Sequence, residues 1–243
     1  MDKLIKLAEE SVRMAGKYIQ SCQDSNEIDI ISSIGKDIKL KSDIETQNII
    51  IDNISKYSDY PIICEEKESV SYKMVQNEKF YWVIDPIDGT YNYSRRIPLS
   101  CISVALWSGS SPILGVVYDF NSEKLYKGLT NKYLFVNDKK KVVSNNKKIK
   151  NSVICSGLPT MRSFTDESLL RTVSFLKQFK KVRFLGSAAL SLAWLASGLV
   201  DTYAEENIYF WDVAAGLALV KASGGDYYIE NNKSNSNLMN VIA

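Results

Sequence analysis

Trp82-Val83-Ile84-Asp85-Pro86-Ile87-Asp88-Gly89-Thr90 places two carboxylates, a glycine and a hydroxyl straight after an apolar run, where a strand is expected to end. Asp85 and Asp88 stand three apart, so a turn between them lets both carboxylates face one cation as hard oxygen ligands suited to Mg²⁺. Pro86 fixes its own φ and biases Asp85 toward extended backbone, while Gly89 lets backbone amides approach an anion closely. A helix starting near Thr90 would aim free N–H groups and a positive dipole end at a phosphate. Asp-Pro or Asp-Gly alone is an ordinary turn signal. The whole string reads as a metal and phosphate site.

Composition narrows the chemistry further. The 243 residues allow one large domain or two small ones, and 45% hydrophobic with 24% charged residues is ordinary for a globular chain. A net charge of +2 gives no reason to expect nucleic acid or a membrane surface as partner. No apolar stretch approaches the roughly 20 residues that span a bilayer, and the amino terminus lacks the apolar core of a signal peptide, so a cytoplasmic protein is expected. Cys22, Cys64, Cys101 and Cys155 are widely spaced and read as free thiols. The chain contains no histidine. That removes Ser-His-Asp triads, phosphohistidine chemistry and histidine-ligated metals, and leaves acid–base work to carboxylates, hydroxyls or metal-bound water.

Leu4, Ala8, Val12, Ala15 and Ile19 recur at helical spacing and predict an amphipathic helix over 3–21. A second helix is expected from Ser42, capped through Ser42 and Glu45, to about Ser55 with Ile44, Ile51 and Ile54 inward, after a hairpin or loop over Gly35 to Lys41. β-branched and aromatic runs predict strands around 62–63, 80–84, 102–106 and 113–118, with two short extensions at 124–126 and 132–136. The lysine cluster at 139–141 reads as a solvated loop. Beyond Lys150 strands near 153, 182–185 and 200–204 alternate with helices over 166–178, 187–196 and 212–223, the last closed by Gly224-Gly225. One domain over 1–243 is expected. Its two sub-lobes, about 1–148 and 149–243, divide at a break near Asn145 to Lys150.

Three acidic loci sit at element boundaries, where side chains can reach a shared cleft: Glu65-Glu66, Asp85 with Asp88, and Asp212. Alone, the first is a solvated turn and the last a helix N-terminal charge. Together they would repel by roughly 4 kcal/mol per pair at about 4 Å and an effective dielectric near 20, so their convergence implies cations.

At these residues the chain resembles the inositol monophosphatase family of Mg²⁺-dependent, lithium-sensitive phosphatases. The signature WxxDPxDGTxNFxxxxP runs from Trp82 to Pro98 with Tyr93 for phenylalanine, and WDxAAGxxLxxxxGG from Trp211 to Gly225. The GEE locus is Cys64-Glu65-Glu66, and the GSAA turn is Gly186-Ser187-Ala188-Ala189. The resemblance implies a layered αβαβα sugar-phosphatase fold (α/β, α+β) and a homodimer. It implies that Glu65, Asp85, the Ile87 carbonyl, Asp88 and Asp212 hold two or three Mg²⁺ ions. Glu65 and Thr90 would position and deprotonate the attacking water, and Gly89 and Thr90 amides would hold phosphate oxygens. Gly186, Ser187, Ala188 and Glu205 would meet the alcohol of a small phosphorylated substrate. Relatives with the same metal core act on inositol phosphates, fructose 1,6-bisphosphate, histidinol phosphate or 3'-phosphoadenosine 5'-phosphate, and the segment after Thr90 looks most like the inositol branch. A non-catalytic scaffold would be expected to lack Glu65 or Thr90. Haloacid-dehalogenase phosphatases carry DxDGT, and the DxxDGT spacing here makes Asp85 a ligand and not a nucleophile. The segment Lys36 to Asp43 matches the family only loosely, through Asp37 and Asp43, so a third ion is not fixed by it.

Overall fold

Apolar residues line both faces of the central strands, so this sheet must be covered on both sides. The computed structural model describes residues 1–25, 30–34, 37–66, 72–75, 77–143, 148–158, 165–232, 235 and 237–243. Its seven-stranded sheet has the order β3(Ile62–Cys64), β4(Tyr81–Asp88), β5(Cys101–Ser108), β6(Ser111–Asp119), β7(Lys124–Leu129), β8(Tyr133–Val136) and β9(Lys139–Lys141). Only β3 and β4 pair in parallel; the rest is an antiparallel meander. Trp82, Ile84, Val104 and Leu106 face α1(Asp2–Asp24) and α2(Lys41–Ser55), whose Val12, Ala15, Ile50 and Ile54 complete that core. Tyr81, Val83, Ala105 and Trp107 face α6(Ala188–Ala196) and α7(Phe210–Ala222).

Those two helices also contact the second sheet, of order β11(Lys181–Arg183), β10(Val153–Ser156), β12(Thr202–Tyr209), β14(Leu238–Ile242) and β13(Tyr228–Asn231). Cys155 and Tyr203 point toward α6 and α7, whereas Ile154 and Ala204 point away, onto Leu176 of α5(Asp166–Leu176). The layers therefore run αβαβα, as the family resemblance implies. A two-stranded hairpin, β1(Ile30–Ile34) with β2(Asp37–Leu40), and two short helices, α3(Tyr72–Val75) and α4(Thr90–Ser94), complete the description. Among the described residues no helix is long and apolar enough to cross a membrane.

Several expectations are corrected. The strand carrying the aspartates does not stop at Ile84; β4 runs on to Asp88 through a bulge, with Asp85 opposite Ser103 and Asp88 opposite Cys101. Pro86 is tolerated there because a bulged residue need not donate to the ladder. The second helix starts at Lys41, and the capping acceptor is Asp43, whose Oδ2 takes the Leu40 N–H at 2.8 Å, rather than Ser42. Its buried stripe is largely polar, Ser42, Asp43, Thr46, Gln47 and Asn53 with Ile50 and Ile54, while Ile44 and Ile51 are only half-buried. The polarity follows from what it faces: Gln47 Oε1 accepts the Glu66 N–H at 3.0 Å, and Asn53 Nδ2 donates to Ser11 Oγ on α1 at 2.9 Å. The lysines at 139–141 are exposed but form the edge strand β9. The last helix begins at Phe210, two residues before Asp212, and β13 and β14 add strands the sequence pattern did not announce. Gly35, Lys36, Asn145, Asn146 and Lys147 lie outside the described residues, as does the side chain of Asp37.

Candidate active site

The bulge in β4 points Asp85 and Asp88 toward the end of the sheet, and Gly89 turns the chain into α4. Gly89 has φ +86°, and a Cβ there would stand 2.9 Å from the Leu99 carbonyl oxygen and 3.0 Å from that of Gly186. Only glycine fits both the left-handed backbone and the close approach. In α4, Thr90 Oγ1 donates to the Ile87 carbonyl at 2.8 Å, which leaves the hydroxyl oxygen with acceptor capacity on its outer side.

Asp88 is the joint between the two halves of the site. Its Oδ2 accepts from Ser187 Oγ at 2.5 Å and from the Ala189 N–H at 2.7 Å, and its Oδ1 accepts from the Ala188 N–H at 3.3 Å. These are the otherwise unpaired donors at the start of α6, so a carboxylate from the seven-stranded sheet caps a helix of the next layer. Ser187 is the N-cap of the same helix and accepts the Leu190 N–H at 3.3 Å. Cys101 Sγ lies 3.8 Å from Asp88 Oδ2, and burial pushes that thiol up. Asp212 sits in the first turn of α7, where its carboxylate accepts the Tyr209 N–H.

Burial raises the pKa of Glu65, Asp85 and Asp212 well above the usual carboxylate range, and their mutual repulsion adds to it. Asp43 joins the same field at Glu65 and Asp85. Asp88 is pushed up to about 6 by burial, held back by its hydrogen bonds from Ser187, Ala189 and Ala188. Buried like charges of this kind call for a counter-charge. Asp85 is 1% exposed, and its Oδ1 has no hydrogen-bond partner among the described residues. An orphaned buried carboxylate oxygen within a set of hard oxygen donors fits Mg²⁺. Among the described residues, no three His, Cys, Asp or Glu side chains stand close enough together to enclose a metal ion by themselves. The fit therefore rests on donor chemistry and charge.

Of the residues singled out in the sequence, Asp88, Gly186, Ser187, Ala188, Glu205 and Asp212 line one cleft of about 210 Å³. Glu65 and Asp85 reach the same carboxylate field, and Ile87, Gly89 and Thr90 form its β4–α4 corner. Glu205 accepts the Tyr203 hydroxyl at 2.9 Å and is pushed up to about 7 by burial. It packs on Gly157, where any Cβ would overlap the carboxylate. Sequence reasoning missed Gly157, which carries no motif. It also missed Asn92, which lies inside the first signature. Asn92 Nδ2 donates to the carbonyls of Leu99 and Leu185, both at 2.7 Å, and weakly to that of Gly186 at 3.3 Å. It thereby ties α4 to the turn that precedes α6.

Comparison with known proteins agrees with this architecture. A profile described as "Inositol monophosphatase family" matches residues 1–237. The "Inositol-1-monophosphatase" of Mesorhizobium japonicum is 33% identical over 187 residues, 76% of this chain and 69% of that protein. The "Nus factor SuhB" of Xylella fastidiosa is 32% identical over 226 residues, 91% of this chain and 80% of its own length. Among solved structures, the IMPase of Thermotoga maritima is 30% identical with a TM-score of 0.78, covering 100% of this chain and 91% of that one. The inositol monophosphatase of Anabaena is 26% identical with a TM-score of 0.81, covering 99% and 90%. The match over nearly the whole length, in sequence and in fold, places this chain in the inositol monophosphatase family of phosphoric monoester hydrolases.

Proposed function

We propose that the protein is a Mg²⁺-dependent phosphomonoesterase acting on a small phosphorylated alcohol, inositol 1-phosphate or a related sugar phosphate. The observation that carries the reading is the set of buried carboxylates, with the orphaned Asp85 Oδ1, beside a cleft of about 210 Å³.

Glu65, Asp85, the Ile87 carbonyl, Asp88 and Asp212 would hold two or three Mg²⁺ ions. When bound, these supply the positive charge that a phosphomonoester needs and lower the pKa of water. The protein's own groups then divide the remaining work. Thr90 donates its hydroxyl hydrogen bond to the Ile87 carbonyl, so its oxygen can accept a hydrogen bond from the attacking water and orient it. Glu65, whose pKa is raised by burial and by the nearby charges of Asp43 and Glu66, would be the acceptor for the water's proton. Gly89 brings the backbone close to the phosphate, and Gly186, Ser187, Ala188 and Glu205 face the alcohol. Direct attack by water needs no phosphoenzyme. The homodimer and the sensitivity to Li⁺ are proposed on the family resemblance.

The test is phosphate release from a panel of inositol, sugar, histidinol and adenosine phosphates with Mg²⁺, with EDTA and with Li⁺. Turnover is expected with Mg²⁺ alone and is expected to vanish in Asp85→Asn, a change that disturbs no hydrogen bond to α6. Activity that survives EDTA, or persists in Asp85→Asn, overturns the metal mechanism. Inactivity across the panel despite Mg²⁺ binding would move the reading to a phosphosugar-binding scaffold.

A further inference from the structure

Lys39 is a cation aimed at the edge of the carboxylate cluster. It lies on β2, and its Nζ forms an ion pair with Glu66, the neighbour of Glu65. The Glu66 side chain is 8% exposed and that of Lys39 37%, so the carboxylate is nearly buried while the ammonium stem still meets water. The bond to Glu66 raises the pKa of Lys39, and the charges of Glu65 and Asp43 raise it further. The ammonium thus feels at least three of the acidic side chains that crowd this corner.

Two backbone anchors fix this position. The next residue, Leu40, donates its N–H to Asp43 Oδ2 at 2.8 Å, and the Glu66 N–H donates to Gln47 Oε1 at 3.0 Å. Both acceptors lie in the first two turns of α2, so β2 and the turn after β3 are pinned to one helix end. The ammonium is placed by the fold rather than by a free surface side chain. An ion pair with a nearly buried carboxylate is worth more than an exposed one, because water screens it less.

We propose that Lys39 is a built-in counter-ion of the carboxylate cluster, supplying at its outer edge positive charge that an additional divalent ion would otherwise bring. The proposal rests on the reading of Glu65, Asp85, Asp88 and Asp212 as Mg²⁺ ligands. Lys39 then sets how many Mg²⁺ ions the protein takes up and how tightly the outermost one is held. It is a positioning residue, acting through Glu66 and Glu65 and not on substrate.

The experiment is calorimetric titration of the full chain with MgCl2, for the wild type, Lys39→Met and Lys39→Arg, with the melting temperature of each followed with and without Mg²⁺. Methionine keeps an unbranched stem without the charge; arginine keeps the charge. Lys39→Met is expected to bind one more Mg²⁺ than the wild type, or to hold its weakest Mg²⁺ about tenfold more tightly. Lys39→Arg is expected to behave as the wild type does. If Lys39→Met lowers the melting temperature but leaves the Mg²⁺ isotherm unchanged, Lys39 is a structural pin and the proposal fails while the metal reading stands. If the wild type itself binds no Mg²⁺, both fail together. Should Lys39→Met not fold, Lys39→Gln gives the same comparison.

Discussion

Replacing Asn92 by alanine removes an amide that ties α4 to the turn before α6. Its Nδ2 has two protons and makes two short bonds, to Leu99 O and Leu185 O at 2.7 Å each, with a third contact to Gly186 O at 3.3 Å. Leu185 is buried, whereas Leu99 is half-buried and Gly186 exposed. One carbonyl is therefore left dry and the others can recruit water. Losing a buried partner costs about 1–3 kcal/mol and losing a half-exposed one about 1, so Asn92→Ala should cost about 2–3 kcal/mol. For a chain of this size each kcal/mol moves the melting point by about 2–4 °C, giving a fall of about 4–12 °C. Phosphate release should fall with it, because Gly89 and Gly186 would lose their common tether. Asn92→Asp should be worse in both assays, since a carboxylate would face three carbonyl oxygens. Differential scanning calorimetry and a phosphate assay check this. A melting point within about 1 °C of wild type in Asn92→Ala, or an Asn92→Asp more stable than Asn92→Ala, would refute the tether.

Gly89→Ala should lower stability by about 2–3 kcal/mol and abolish turnover, because φ +86° costs a non-glycine residue about 1–2 kcal/mol and the new Cβ meets two backbone oxygens; thermal melting decides it, and a wild-type transition would contradict the geometry. Gly157→Ala should displace the Glu205 carboxylate, raising KM about tenfold for a polyhydroxylated phosphate with kcat little changed, while p-nitrophenyl phosphate, which lacks hydroxyls, is spared. Equal effects on both substrates would show that Glu205 does not meet the alcohol. Burial pushes Asp88 up to about 6 in the fold from its ordinary 3.8, so between those values the folded state holds the extra proton and stability falls as pH rises. In EDTA the protein should therefore melt higher at pH 5.5 than at pH 8, by about 1 kcal/mol of stability from Asp88, and Mg²⁺ at pH 8 should close the gap. Melting curves that fall steadily on acidification through this window would count against the repulsive cluster.

What the sequence made legible was local and patterned. Gly224-Gly225 closes α7 as expected: Gly225 N–H bonds Val220 O at 2.9 Å and Gly224 N–H bonds Lys221 O at 3.2 Å, with Gly224 in the left-handed region. Thr90 does start a helix. The strand end was misplaced because Pro86 reads as a terminator, and only the pairing with β5 reveals the bulge that carries it. Ile54 of α2 faces inward as expected, but Ile44 and Ile51 do not, because the start of this helix is wanted for its polar groups, Asp43 and Gln47. β13 and β14 were invisible beside the polar tract around them, and their pairing with each other and with β12 is a long-range fact. Asn92 and Gly157 act through partners far away in sequence, 93 residues for Asn92 and Leu185, so no spacing rule could single them out.

The lysines of β9 set a limit on how copies of this protein can meet. Lys139, Lys140 and Lys141 occupy an edge strand of the seven-stranded sheet, with no further strand beyond it among the described residues. A second chain adding there would bring two rows of ammonium groups together, so the sheet is stopped electrostatically where hydrogen bonding alone would let it grow. Pairing of two copies through this edge is disfavoured, and neutralising these three lysines should make edge-to-edge association easier.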